Sequence, residues 1–425
     1  MSYTAELISV GTELLLGSIA NTDAQMISQG LSALGINVYY HTVVGDNPDR
    51  LRSAVETAKG RADILITTGG LGPTCDDLTK QTLAAAFGLP LEFHQPSADR
   101  ITDYFRRLHP DRPMTENNLQ QAMLPQGCTV FDNDWGTAPG CAFQVQGVYV
   151  LMLPGPPREC KAMFTHRALP YLQALSDGTI LSRTLKLFGV GESSVEALLR
   201  ERMNTMTNPT LAPYAKEGEV ELRITAKAPT LAQARALIVP VELQLRELLG
   251  DVVYGADIPS LEAAVLPLLN AQGLTLGTAE SCTGGLIAKR FTDLPGASAV
   301  FRGGVVSYTD AVKHSILGVP QGLLDQYGAV SPQVARAMAE GAQRALGCDL
   351  ALSTTGVAGP GPDGRGNPVG LVYVGLAGPG FCHVKGLRLG ASGRAGVRNR
   401  ASLYALDQVR RYLTGLPLDE GELPQ

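Results

Sequence analysis

Twice in this chain a short apolar run passes directly into a glycine-rich turn and then into helical periodicity. The first case closes the apolar run Asp63–Thr67 with Thr67-Thr68-Gly69-Gly70-Leu71-Gly72-Pro73-Thr74-Cys75-Asp76-Asp77-Leu78-Thr79. The second follows Leu274–Gly277 with Thr278-Ala279-Glu280-Ser281-Cys282-Thr283-Gly284-Gly285, ahead of the helical stretch Leu286–Phe291. A strand that turns this tightly into a helix belongs to an α/β layer structure, with its turn at the carboxyl edge of the sheet. The turn lifts a side chain out of the sheet and aims backbone N–H groups at whatever binds there. That geometry serves a hydroxyl nucleophile and its oxyanion. Taken alone, the second turn is equally readable as a connector with a Ser N-cap.

With 425 residues the chain exceeds one core, and two or three domains are expected. The first part alternates strand candidates (Ala5–Val10, Asn37–Thr42, Asp63–Thr67, Val148–Leu153) with helix candidates, which predicts a parallel sheet with right-handed crossovers. A smaller α+β stretch follows the compositional change at Arg167–Asp177. Its strands are expected at Thr184–Phe188 and Glu219–Ala226, with a helix over Leu231–Leu249 that Pro240 should kink. Asp251–Ser260 reads as a linker into a third, again alternating, stretch. The predicted boundaries are 1–170, 171–256 and 257–417, with 418–425 a disordered tail. The fold class is α/β: two α/β domains joined by a small α+β domain.

A formal net charge of −5 argues against a dedicated nucleic-acid binder. The seven cysteines form no C-x-x-C pair, which fits a reducing cytoplasm better than a disulfide framework or a zinc knuckle. Neither a signal peptide nor a membrane-length apolar run is expected.

The glycines of the 67–79 loop permit close backbone approach to a ligand, and the helix start favours an anion. Asp76 and Asp77 would repel a bare phosphate. A divalent cation reconciles the two: carboxylates hold the metal, and the metal holds a diphosphate. One Asp as helix cap and the other as dipole partner is the plainer alternative. Leu153-Pro154-Gly155-Pro156-Pro157-Arg158-Glu159 is a second strand, rigid turn and helix start. Gly11-Thr12-Glu13 and Ala20-Asn21-Thr22-Asp23 could reach the same pocket, although Asn21 or Asp23 also suits a helix cap.

Thr67–Thr79, Leu153–Glu159 and the stretch from Thr278 to Arg400 resemble the CinA (competence/damage-inducible) family, in the family's order and across nearly the whole chain. The resemblance implies an N-terminal domain similar to molybdopterin-binding domains, with divalent-metal-dependent (Mg, Mn or Co) ADP-ribose pyrophosphatase activity. It maps Gly69, Gly70, Gly72, Thr74, Asn21, Pro154 and Gly155 to diphosphate binding, and Asp76 and Asp77 to the metal. The middle unit resembles the family's KH-like insert. Its Gly189-Val190-Gly191-Glu192 carries an acid and no basic clamp, so RNA binding is not expected.

The C-terminal resemblance implies nicotinamide mononucleotide deamidase activity, yielding the nicotinic acid nucleotide and ammonia with no cofactor. Amide hydrolysis needs a nucleophile, a base and an acid for the leaving amine. Ser281 is taken as nucleophile, Lys313 as base, and Tyr308 as proton relay or lysine-orienting group. Cys282 competes as nucleophile, because thiolates react faster. His314 is the only histidine in either motif, so a Ser–His pair is poorly supported. Thr355, Gly356 and Gly359 of the loop after Leu350–Thr354 are expected to line the same cleft, with Thr283, Gly284 and Ser298. Arg394 and Arg398 are candidates for the substrate phosphate, and Arg400 points elsewhere. Asp310 stands where the family pattern has asparagine, and its carboxylate would raise the lysine pKa.

The resulting expectation is a cytoplasmic, homodimeric pyridine-nucleotide salvage enzyme that acts on nicotinamide mononucleotide and ADP-ribose, with no membrane or nucleic-acid partner. The alternative is a pterin- or nucleotide-binding adaptor for a competence or recombination partner, without N-terminal turnover.

Overall fold

The computed structural model describes residues 3–108, 114–175, 178–390 and 392–418. The expected tail, apart from Leu418, and Ala391 of the turn before the last helix lie outside the described residues. The chain falls into two compact units, residues 1–181 with 227–234, and residues 182–226 with 235–425.

In the first unit, β1 (Thr4–Val10), β2 (Asn37–Val44), β3 (Ile64–Thr68), β4 (Leu91–Phe93) and β5 (Met123–Pro125) are separated by helices, and β6 (Thr129–Phe131), β7 (Gly140–Val145) and β8 (Val148–Leu153) follow without a helix between them. A six-stranded sheet runs β2-β1-β3-β8-β7-β6. The first four strands pair in parallel, as expected, but β7 and β6 are antiparallel. The cause is the two-residue turn Gln146-Gly147, with φ of +53° and +86°, which folds β7 back onto β8 as a hairpin. Side chains alternate between two cores. Leu7, Ile66 and Leu151 enter one face, and Ile8, Leu65 and Val150 the other. Both faces are therefore covered, and the parallel strands read as continuous apolar runs.

The second unit holds two sheets. The middle one contains β9 (Thr179–Phe188), β10 (Thr210–Lys216), β11 (Glu219–Ala228) and β12 (Val253–Ala256) in the order β10-β11-β9-β12. One expectation changes here: the anticipated linker Asp251–Ser260 contains β12, which pairs antiparallel with β9. The helix Leu231–Leu249 has the expected bounds and carries Pro240 inside it.

The other sheet is β14-β13-β15-β16-β17, built from β13 (Leu276–Glu280), β14 (Phe301–Val306), β15 (Leu350–Gly356), β16 (Leu371–Gly378) and β17 (Phe381–Arg388). Its first three strands are parallel, and the last two return antiparallel. The carboxyl ends of β13, β14 and β15 therefore lie side by side, and they deliver the turns at Ser281, Ser307 and Gly356 to one edge. Among the described residues, no helix is long and apolar enough to cross a membrane.

Candidate active sites

Ser281 is the first residue past β13. Its N–H donates to Thr354 O of β15 (2.9 Å), and Ser307 N–H beside it donates to Glu280 O (2.9 Å). The turn closes through Gly284 N–H to Ser281 O (3.1 Å), with Gly284 and Gly285 at φ of +61° and +89°. Those positive values suit glycine. The helix Leu286–Thr292 then starts without a cap from its own turn. Glu280 supplies one from the sheet: its buried carboxylate accepts from Ile287 N (3.0 Å) and Ala288 N (2.8 Å). Sequence reasoning did not give Glu280 a role. It lies seven residues before the amide it caps, too far for a capping-box pattern to reveal it.

Thr309 caps the helix Asp310–Leu317 and so turns Lys313 inward. Lys313 Nζ donates to Ser281 Oγ (3.1 Å) and to Ser307 O (2.9 Å). The lysine is 1% exposed, and burial holds its pKa below the usual range; Asp310, 3.9 Å away, pushes the other way. The neighbouring Cys282 thiol is pushed up to about 12 by burial. It therefore has little thiolate to offer at neutral pH.

Tyr308 sits elsewhere than the relay role requires. Its side chain is exposed, and its hydroxyl accepts from Arg394 Nη2 (2.7 Å), while the Ser307 carbonyl holds the lysine. Arg394 also donates to Gly359 O (2.8 Å), so Tyr308, Arg394 and Gly359 form one rim. Arg398 donates to Thr283 O (2.7 Å), which ties the last helix to the Ser281 turn. Arg400 turns to Leu389 O (2.8 Å).

The hydroxyl of Thr283 bonds that of Thr354 (2.7 Å), and Thr355 donates to Ala329 O (2.7 Å). Both are buried and hold the loops rather than open toward a ligand. At Gly356 a Cβ would stand 2.6 Å from Leu371 O, so that glycine serves strand packing. Ser298 is exposed on the short turn Ala297–Ala299, outside the hydrogen bonds that join Ser281, Lys313 and Thr283.

In the first unit the glycines of the 67–79 loop are explained by internal crowding. A Cβ at Gly69 would lie 2.2 Å from Val10 O, at Gly70 2.1 Å from Thr79 Oγ1, and at Gly72 2.5 Å from Asp77 Oδ2. A Cβ on Gly155 would lie 3.1 Å from Gly69 Cα, so the loop after Pro154 abuts the glycine loop. Asp77 accepts from Thr74 N (2.9 Å) and from the Thr74 hydroxyl, and the Thr74 hydroxyl also helps hold the exposed Asp76 carboxyl below its usual range. Among the described residues, no group of three His, Cys, Asp or Glu side chains is gathered for a metal. Two carboxylates beside a hydroxyl nevertheless suit a magnesium-type ion, which takes one or two protein carboxylates and completes its shell with water and substrate phosphate.

Asn21 caps the helix Thr22–Ala33 through Ala24 N (3.1 Å) and donates to Ser9 Oγ (2.9 Å). Asp23 is raised to about 6 by burial. The loop between β6 and β7 was not anticipated from sequence. The pairing of β7 with β8 brings this loop to the carboxyl end of β8. There Asn133 donates to Glu159 Oε2 (2.7 Å) and to Ala138 O (2.9 Å). A cavity of about 560 Å³ opens between this loop and the helix Gln95–Leu108. The Gly136-Thr137-Ala138-Pro139-Gly140 run is the signal that marks it as an ordered turn.

Residues 258–413 match the family described as the CinA C-terminal domain, residues 6–174 the probable molybdopterin binding domain, and residues 182–255 the damage-inducible protein CinA KH domain. A CinA-like protein of Kosmotoga olearia is 48% identical over 414 residues, spanning 97% of this chain and 99% of that one. This chain belongs to the CinA family. A CinA-like protein of Dictyoglomus turgidum is likewise 48% identical over 415 residues, with the same coverage of 97% and 99%. Among solved structures, CinA of Thermoplasma acidophilum, described as of unknown function, shares 32% identity. It covers 40% of this chain and 98% of its own, at a TM-score of 0.37. As a CinA-family chain, the protein carries the mixed α/β architecture of a molybdopterin-binding-like domain, a KH domain and a CinA C-terminal domain.

Proposed function

We propose that the C-terminal domain hydrolyses the carboxamide of nicotinamide mononucleotide, and that the N-terminal domain is a divalent-metal-dependent ADP-ribose pyrophosphatase. The observation that carries the first part is the buried Lys313 ammonium nitrogen, 3.1 Å from Ser281 Oγ. In its neutral form the amine takes the Ser281 proton as Oγ bonds to the carboxamide carbon and the C=O electron pair moves to oxygen. Collapse of that tetrahedral species breaks the C–N bond, and the lysine returns its proton to the departing ammonia. Water then attacks the ester carbon, Lys313 accepts its proton, and Ser281 leaves as the free hydroxyl. Burial favours the neutral amine that both steps require.

In the N-terminal domain Asp76 and Asp77 would hold the cation, and the Gly69–Thr74 loop would receive the diphosphate. The bound metal would neutralise phosphate charge during hydrolysis. The chain is proposed to work in the cytoplasm as a homodimer. All seven cysteines are unpaired thiols, which supports a reducing compartment. A second reading is a pterin- or nucleotide-binding competence adaptor without N-terminal turnover, favoured by the commitment of Asp77 to Thr74.

Proton NMR of purified protein with nicotinamide mononucleotide, beside Ser281→Ala, tests the main reading. The acid nucleotide and ammonia should appear, and the variant should lose them. A wild type that leaves the amide intact refutes it. Release of AMP from ADP-ribose with added metal separates the two N-terminal readings.

A further inference from the structure

The hairpin between β10 and β11 turns at Glu217-Gly218, and this tip lies on the last helix, Gly393–Leu413. Gly218 has φ of +87°, and a Cβ there would come 2.9 Å from Leu403 Cδ1 and 3.5 Å from Arg400 Cγ. A side chain at Gly218 would strain the backbone and displace Leu403. Beside it, Asn399 spends its carboxamide at both ends. Nδ2 donates to Glu217 O (3.1 Å), and Oδ1 accepts from Arg290 Nη2.

Arg290 lies on the helix that begins at the Ser281 turn. It also donates to Ser402 Oγ (3.0 Å) and pairs with Glu262 (3.3 Å). Arg398, one residue before Asn399, is the group that reaches Thr283 O. The turn of helix that presents Arg398 is therefore bolted on its other side to the KH-domain hairpin. Upstream, Gly390 and Gly393 both sit at positive φ, which suits glycine.

We propose that Asn399 is a positioning residue through which the KH-domain hairpin sets Arg398 and Arg394 for the phosphate of the deamidase substrate. The inference rests on the deamidase reading above. It gives the KH domain a task in substrate recognition at the neighbouring site rather than in nucleic-acid binding. A guanidinium recognises phosphate by a planar fork, so a small tilt of its helix costs binding while leaving the Ser281–Lys313 pair in place.

Asn399→Asp is the informative variant. It keeps an acceptor for Arg290, removes the donor, and sets a carboxylate against the Glu217 carbonyl. The KM for nicotinamide mononucleotide should rise about three- to tenfold with kcat little changed, which is the worth of one lost hydrogen bond. Turnover of nicotinamide riboside, which lacks the phosphate, should not change. Calorimetric affinity for ribose 5-phosphate should fall by the same factor as KM rises, a readout that needs no catalysis. An unchanged KM and ribose 5-phosphate affinity would overturn the proposal, as would equal losses on both substrates. A wild type that binds ribose 5-phosphate yet leaves nicotinamide mononucleotide intact would sink the deamidase reading alone.

Discussion

Lys313 Nζ stands 3.1 Å from Ser281 Oγ, in a pocket that leaves the lysine 1% exposed. Two features make this pair asymmetric. The Ser307 carbonyl fixes the amine from behind, and burial disfavours its charged form. The serine receives a hydrogen bond from an amine that its surroundings bias toward the neutral form.

The first prediction concerns pH. The folded pKa of Lys313 is lowered, and only the neutral amine can act as base, so kcat/KM should rise with pH through that pKa and then level. Asp310 raises the lysine pKa, so Asp310→Asn should move the rising limb to lower pH without changing the plateau greatly. Lys313→Met should remove the limb and reduce kcat by about 10²–10⁴. A Lys313→Met enzyme with wild-type rate would refute the assignment. Rate profiles for the three proteins on nicotinamide mononucleotide decide the matter.

The thiol beside the proposed nucleophile should prove dispensable. Cys282 is 5% exposed and its pKa is pushed up to about 12, so alkylating reagents should react slowly with it and Cys282→Ala should keep most activity. Ser281→Ala should lose activity by about three orders of magnitude or more. The reverse pattern in a steady-state assay would move the nucleophile to the cysteine.

What the sequence made legible was local. The parallel strands around Ile66 and Leu352 announce themselves as continuous apolar runs, and the Ser281 and Gly69 turns as glycine clusters between a strand and a helix. The antiparallel additions were harder, because they depend on two-residue turns. At Gln146-Gly147 the signal of a tight hairpin is a single glycine. Contacts between distant segments carry no periodic signal at all. The carbonyl of Ser307 holding Lys313, and Asn133 reaching Glu159, exist only once the strands are aligned. The same holds for Tyr308. Proximity in sequence placed it with Lys313, whereas the cap at Thr309 turns the lysine inward and leaves the tyrosine on the rim with Arg394.

Glu280 should matter for stability as much as for rate. Its carboxylate accepts two amides of the helix Leu286–Thr292 from a fully buried position. Glu280→Gln keeps the shape but sets an amide NH2 against a backbone N–H, so one of the two bonds is lost. The second unit should lose about 1–3 kcal/mol, read as an earlier thermal transition by calorimetry. The deamidase should weaken with it, since the Ser281 turn leads into that helix. An unchanged transition would mean that the cap is not needed to hold the turn.

The last prediction separates the two domains. Gly69 has φ of +94°, and a Cβ there would sit 2.2 Å from the Val10 carbonyl oxygen, a backbone atom that cannot swing away. Gly69→Ala therefore combines backbone strain with a clash, and should destabilise the first unit by about 2–4 kcal/mol. Release of AMP from ADP-ribose should fall sharply, because the same loop carries Thr74, Asp76 and Asp77. Hydrolysis of nicotinamide mononucleotide, proposed for the other unit, should stay within about twofold of wild type if the sites are energetically independent. Calorimetry with both assays on one preparation reads all three quantities. A parallel loss of the proposed deamidase activity, with the second unit still folded, would show that the two domains are coupled.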